Sequence, residues 1–114
     1  MNVHAIITNP VVKQGSAPDL EIILYDDDGL RIDLDTAEAV SVIFKRWHAS
    51  DTAIINQLCE ITDSTRGECV IPLLEEDTSA FELGRFFGEI QVDFSDGVIE
   101  RTEDLVLWVK KSVR

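Results

Sequence analysis

His4 and His48 are the only imidazoles in the chain, so any histidine base must be one of them. Nucleophilic catalysis pairs such a base with a Ser, Cys or Thr, and no serine sits in a G-x-S-x-G elbow that would present it. His4 falls in a stretch with the alternation of a strand and His48 in a polar loop. Both read as structural residues, and the chain reads as a non-enzyme with no catalytic residue and no cofactor. Carboxylate pairs can act as acid and base, but with 22 acidic residues in 114 such pairs arise from composition alone.

Asp26-Asp27-Asp28-Gly29 concentrates oxygen ligands as calcium requires, which makes Asp26 and Asp28 the candidate ligands. The run lacks the spaced ligands and closing Glu of an EF-hand loop, and a tight turn needs Asp and Gly for its backbone anyway. No metal is expected there. Cys59 and Cys69 flank a polar loop ten positions apart, so an even register puts them on one sheet face. A disulfide stays geometrically open, and buried free thiols are the favoured reading because Cys packs as a small apolar residue.

Among the aromatic residues, Phe86 and Phe94 share an alternating face that should be core, whereas Phe87 and Trp108 fall on the opposite, polar-alternate sides. Phe87 and Trp108 are therefore interface candidates. An exposed Trp47 or Trp108 would also suit stacking on a sugar. With no basic residues interleaved among the aromatics, stacking on nucleic acid is a poor inference. Lys110, Lys111 and Arg114 form the only locally basic stretch, and they are candidates to meet an acidic face of a neighbouring subunit head to tail.

The formal net charge is −12 and 45% of residues are apolar. That length fits one domain, residues 1–114, able to bury roughly two-thirds of its unfolded surface. The apolar share excludes the disordered class, so the acid excess must decorate a folded surface. Such a surface repels phosphate backbones, which argues against nucleic acid and anionic membranes as partners. No basic start leads into an apolar stretch of signal length, and no 18 apolar residues run together. The chain is expected to be soluble and without an export signal, and two cysteines fit a reducing compartment.

Alternation of apolar and polar residues dominates, the period of half-buried strands. Strands are predicted over 3–8, weakly over 11–13, then 20–25, 30–34, 37–47, 53–58, 59–62, 68–74, 85–94, 98–101 and 105–110, some of these runs continuing one another. Val40, Val42 and Phe44 share one face of a central strand. Residues 63–67 have the content of a hairpin loop, and Ser95-Asp96-Gly97 predicts a type I′ turn with two positive φ angles. Only 75–83 suits a helical turn, with Asp77 as N-cap and Gly84 as stop. Seven to nine short strands without a crossover helix predict an all-β, antiparallel sandwich with at most one helical turn.

The order of these segments resembles the immunoglobulin-like domain of bacteriophage baseplate upper proteins and related tail and virion proteins. It is carried by residues 20–29, ending in Asp26-Asp27-Asp28-Gly29, by 32–44, by 63–67, by Gly84-Arg85-Phe86-Phe87-Gly88-Glu89-Ile90 and by Ser95-Asp96-Gly97. The resemblance spans about residues 20–113. It implies an immunoglobulin-like sandwich that packs against copies of itself or other virion proteins, in a particle assembled in the bacterial cytoplasm. The chain stops at Arg114, without the long stalk that often follows such a domain, which favours a small accessory, connector or decoration subunit. Two other classes remain open from the residues: a carbohydrate or host-surface recognition module, and a calcium-stabilised adhesion domain.

Overall fold

Alternation decides the architecture, because each strand must turn its apolar side toward another layer. In the computed structural model, which describes residues 2–46 and 52–113, the strands are β1 (His4–Ile7), β2 (Val11–Lys13), β3 (Asp19–Tyr25), β4 (Ala37–Lys45), β5 (Ala53–Leu58), β6 (Glu60–Asp63), β7 (Glu68–Pro72), β8 (Gly84–Phe94), β9 (Ile99–Arg101) and β10 (Leu105–Lys110). The smaller sheet runs β1-β3-β7-β6. The larger runs β2-β10-β8-β4-β5, with β9 paired to the far half of β8.

The predicted sandwich is present, with ten strands among the described residues where seven to nine were expected. All pairs are antiparallel except β2 with β10, which is parallel. The exception follows from Pro10, which has no N–H to continue a ladder. The chain leaves β1 in the smaller sheet, bends at Asn9-Pro10 and enters the larger sheet as β2, where the Trp108 N–H donates to the Pro10 carbonyl at 2.9 Å. A second switch occurs at Cys59, whose N–H donates to the Val40 carbonyl between β5 and β6.

The core lies between the sheets. Val40, Val42 and Phe44 of β4 and Phe86, Ile90 and Val92 of β8 face Ile22, Leu24 and Ile71 of the smaller sheet, all at most 2% exposed. Each such side chain contributes roughly 1.5–3 kcal/mol by leaving water.

Four local expectations are corrected. Residues 30–34 form no strand beyond one bridge, Tyr25 to Arg31. Ile32 and Leu34 are buried there, and their N–H groups donate to the Leu24 and Ser64 carbonyls, so the segment is satisfied without a ladder. The helical turn α1 spans Glu75–Ser79, capped by Leu74 and ended at Ala80 rather than by Asp77 and Gly84. A second, 3-10 turn at Ser64–Arg66 occupies the predicted hairpin loop. It closes on Gly67 at φ 63°, where a Cβ would stand 2.6 Å from the Leu24 carbonyl oxygen, so only glycine fits.

The Ser95-Asp96-Gly97 connection is not type I′, since no described non-glycine residue has positive φ. It is a three-residue loop: Gly97 carries φ 89°, its N–H donates to Phe94, and the Phe94 N–H donates to Val98. Asp27-Asp28-Gly29 repeats this pattern, with Gly29 N–H donating to Asp26 and Asp26 N–H to Leu30.

Candidate interaction surface

The outward sides of β8, β10 and β4 lie next to one another because β8 pairs with both of the other strands. Register sets Trp108 beside Arg85, Val106 beside Phe87, and Phe87 beside Lys45. On the far side of β10, Trp108 adjoins Val11 and Lys110 adjoins Lys13. The Arg85 guanidinium lies over the Phe87 ring, 4.8 Å from its centroid. Such stacking desolvates the ring face and holds the cation in a fixed place. Trp108 is 43% exposed, a large apolar area left in water. A cleft of about 220 Å³ opens at Phe87, lined also by Ile43, Lys45, Gly88, Glu89 and Asp104.

Of the predicted interface residues, Phe87, Trp108 and Lys110 come together on this face. Lys111 is exposed just past the end of β10, and Arg114 lies outside the described residues, as do Trp47 and His48. Sequence reasoning singled out neither Arg85 nor Lys45, and it held that no basic residues interleave with the aromatics. That premise is corrected: folding places Arg85, Lys45 and Lys110 among Phe87 and Trp108. Strand parity carried half of the signal, since Arg85 alternates with Phe87. The other half is which strands are neighbours, which no single segment contains.

His4 sits elsewhere and joins the two layers. Its Nε2 is 2.6 Å from Asp27, its Nδ1 is 2.8 Å from Glu103, and its ring stacks on Tyr25 at 5.4 Å. Hydrogen bonds to Asp27 and then Glu103 raise the imidazole above its ordinary 6.5, and the same bonds hold both carboxyls below the usual carboxylate range. With both ring nitrogens engaged and no nucleophile beside them, His4 acts as a clasp between the loop after β3 and the segment before β10.

The acidic turn is likewise committed. The Asp26 Oδ1 accepts the Asp28 and Leu30 N–H groups at 2.9 and 3.0 Å, while Asp27 serves His4. Asp28 is exposed at the turn, and no cluster of metal-ligating side chains occurs among the described residues. Cys59 and Cys69 are buried free thiols. The hydrogen bond from Cys59 to Cys69, followed by burial, pushes the Cys59 thiol up, so it stays protonated at neutral pH.

Sequence reasoning missed two buried hydroxyls. Thr102 Oγ1 accepts the Ile90 N–H at 3.0 Å, and the Thr102 N–H donates back to the Ile90 carbonyl, bridging the gap between β9 and β10. Thr78 Oγ1 donates to the Ser16 carbonyl and ties α1 to the loop after β2.

No protein-family model matches the chain, and no curated protein is similar to it in sequence. Among solved structures it is similar to CopC from Methylosinus trichosporium OB3b, with 12% identity, 97% of this chain and 98% of that chain covered, and a TM-score of 0.54. It is also similar to fibronectin(III)-like modules of Clostridium thermocellum CbhA, at 15% identity, 98% of each chain and a TM-score of 0.45. Murine CRIg matches at 14% identity over 96% of this chain and 98% of that chain, with a TM-score of 0.43. Likeness at such identities concerns the fold alone. The chain is an all-β sandwich of two sheets.

Proposed function

We propose that the chain is a non-enzymatic structural protein acting through protein–protein contacts, as a tail, baseplate, neck or head-surface component of a phage or prophage particle. The contact reading is carried by one observation: the outer face of the larger sheet, where Trp108 stands exposed beside Phe87, Arg85 and Lys45. Aromatic residues and arginine are the side chains that interfaces concentrate, and here they share a patch on an otherwise acidic molecule. The particle reading rests on the segment resemblance to baseplate upper proteins. The sandwich fold agrees with it but hosts many other functions as well.

Quantitative mass spectrometry of particles purified by density gradient from cells expressing the gene tests this. The chain is expected to migrate with the particle at a fixed ratio to the major structural proteins, through a high-salt wash. Recovery only in the soluble fraction overturns the particle reading.

A carbohydrate or host-surface recognition role draws on the exposure of Trp108, since a tryptophan face stacks on sugar rings. Glycan binding that disappears in Trp108→Ala would move the reading there. A calcium-stabilised adhesion domain finds less support, because Asp26 already holds its turn and Asp27 holds His4. Chelator and added calcium are both expected to leave Tm unchanged, and a rise with calcium would revive that class.

A further inference from the structure

The two sheets present opposite charge to solvent. The strands of the smaller sheet hold five carboxylates on outward or edge positions, Asp19, Glu21, Glu60, Asp63 and Glu68, and contain no Lys or Arg. Register sets Glu21, Val70 and Glu60 in one row and Ile6, Ile23 and Glu68 in the next. At the end of the second row Arg66 reaches within 3.8 Å of Glu68 and offsets part of its charge. The acids thus lie beside an apolar patch of Ile6, Ile23 and Val70 that reaches the sheet edge at β1, where Ile6 is 51% exposed.

The outward positions of the larger sheet hold five cations, Lys13, Lys45, Arg85, Arg101 and Lys110, against three carboxylates, Glu89, Asp93 and Glu38 at the β4 bulge, and Arg101 lies 3.9 Å from Glu89. This face too has an apolar patch, built on Trp108, Phe87, Val106 and Ile43. On a chain of net charge −12 this face holds more cations than carboxylates.

We propose that the occupant of the larger sheet's outer face is the smaller sheet's outer face of a second copy of this chain. Trp108 then covers the Ile6, Ile23 and Val70 patch, and Lys45 and Arg85 meet Glu21 and Glu60. This deepens the reading of the chain as a protein that works through protein contacts and does not depend on which particle holds it. Three features support it. The signs are complementary and each patch sets apolar side chains beside charged ones, as the core and rim of an interface do. Sheets stack face to face at about 10 Å with side chains interdigitating. The molecule measures 44 by 29 by 23 Å, so its broad faces have room for the roughly 800 Å² per partner of a stable contact.

The two surfaces of such a contact differ, so the contact is heterologous. Each added copy leaves one free face of each kind, and growth continues until a ring closes.

Sedimentation velocity of the full chain, of Trp108→Asp, of Ile6→Asp and of an equal mixture of the two variants tests the proposal. Both substituted residues are exposed, and matching circular dichroism spectra confirm that the variants fold. The wild-type mass is expected to climb with concentration beyond twice the monomer, while each variant alone stays monomeric. The mixture should form a dimer and stop there, because only one intact face of each kind remains per pair. A wild-type chain that stays monomeric to millimolar concentration overturns the proposal and leaves contacts with other proteins in place. If Ile6→Asp associates as well as wild type while Trp108→Asp does not, the larger sheet's face pairs with itself or another surface, and the proposal falls. A single-stranded oligonucleotide that binds the wild type but not Trp108→Asp would reassign the face to nucleic acid and overturn it too.

Discussion

The outer faces of the two sheets are built by the same rule and come out opposite. In β3 and β8 alike, every second side chain enters the core, and the inner sides are interchangeable in character: Ile22 and Leu24 on one, Phe86 and Ile90 on the other. The outward sides differ. β3 turns Asp19 and Glu21 to solvent, whereas β8 turns Arg85 and Phe87 outward at one end, beside Trp108 and Lys45, and Glu89 and Asp93 toward the other. Stability is thus invested in the inner sides, and the proposed contacts fall on the outer ones, which makes the two separable by substitution.

The sharpest separation lies within one strand. Phe86→Ala empties a buried ring site and is expected to cost about 3–5 kcal/mol in chemical denaturation. Phe87→Ala, one residue away, should cost under about 1 kcal/mol, near the range of surface changes. Equal costs at the two positions would dissolve the division between inner and outer sides. Gly67→Ala comes next, since a left-handed φ and carbonyl oxygens of Leu24 and Ile32 at 2.6 and 2.8 Å both oppose a Cβ. A loss of about 2–3 kcal/mol is expected from strain of this kind, and a neutral result would mean the 3-10 turn rearranges freely. Thr102→Val removes the acceptor of the buried Ile90 N–H and should cost about 1–2 kcal/mol, with faster hydrogen exchange at Ile90.

The smallest effect concerns the His4 clasp. Because its pKa is raised in the fold, its stabilisation is complete below 6.5 and lost as pH rises through the higher folded value. Asp27 and Glu103 are lowered, so their share is lost as pH falls through values below the usual carboxylate range. An NMR titration should place the His4 midpoint above 6.5, and the pH dependence should vanish in His4→Gln. A midpoint at or below 6.5 would mean the clasp does not hold in solution.

Most of the fold was legible because a sandwich repeats a local rule. The inner residues of β4 and β8, the positions of the turns and the buried cysteines all follow from alternation and from Asp, Gly and Cys chemistry. What was not legible depends on partners distant in the chain. Parity alone cannot show that β2 runs parallel to β10, that the chain changes sheets at Pro10 and Cys59, or that His4 meets Glu103. The same limit hid the candidate face: Phe87, Trp108 and Lys110 stood out as residues, whereas Arg85 and Lys45 gain meaning only once β8 lies between β10 and β4. Residues 30–34 were misread because Ile32 and Leu34 alternate as a strand does while their N–H groups bond elsewhere.

The central claim is that opposite charge on the two outer faces directs association. Light scattering over a concentration series at low salt, on wild type, on Lys45→Glu with Arg85→Glu, and on the same double variant with Glu21→Lys and Glu60→Lys added, tests it most directly. Mass is expected to grow with concentration for wild type, to stay at the monomer for the double variant, and to grow again once the charges are exchanged on both faces. A double variant that associates like wild type, or an exchanged variant that remains monomeric, would contradict it.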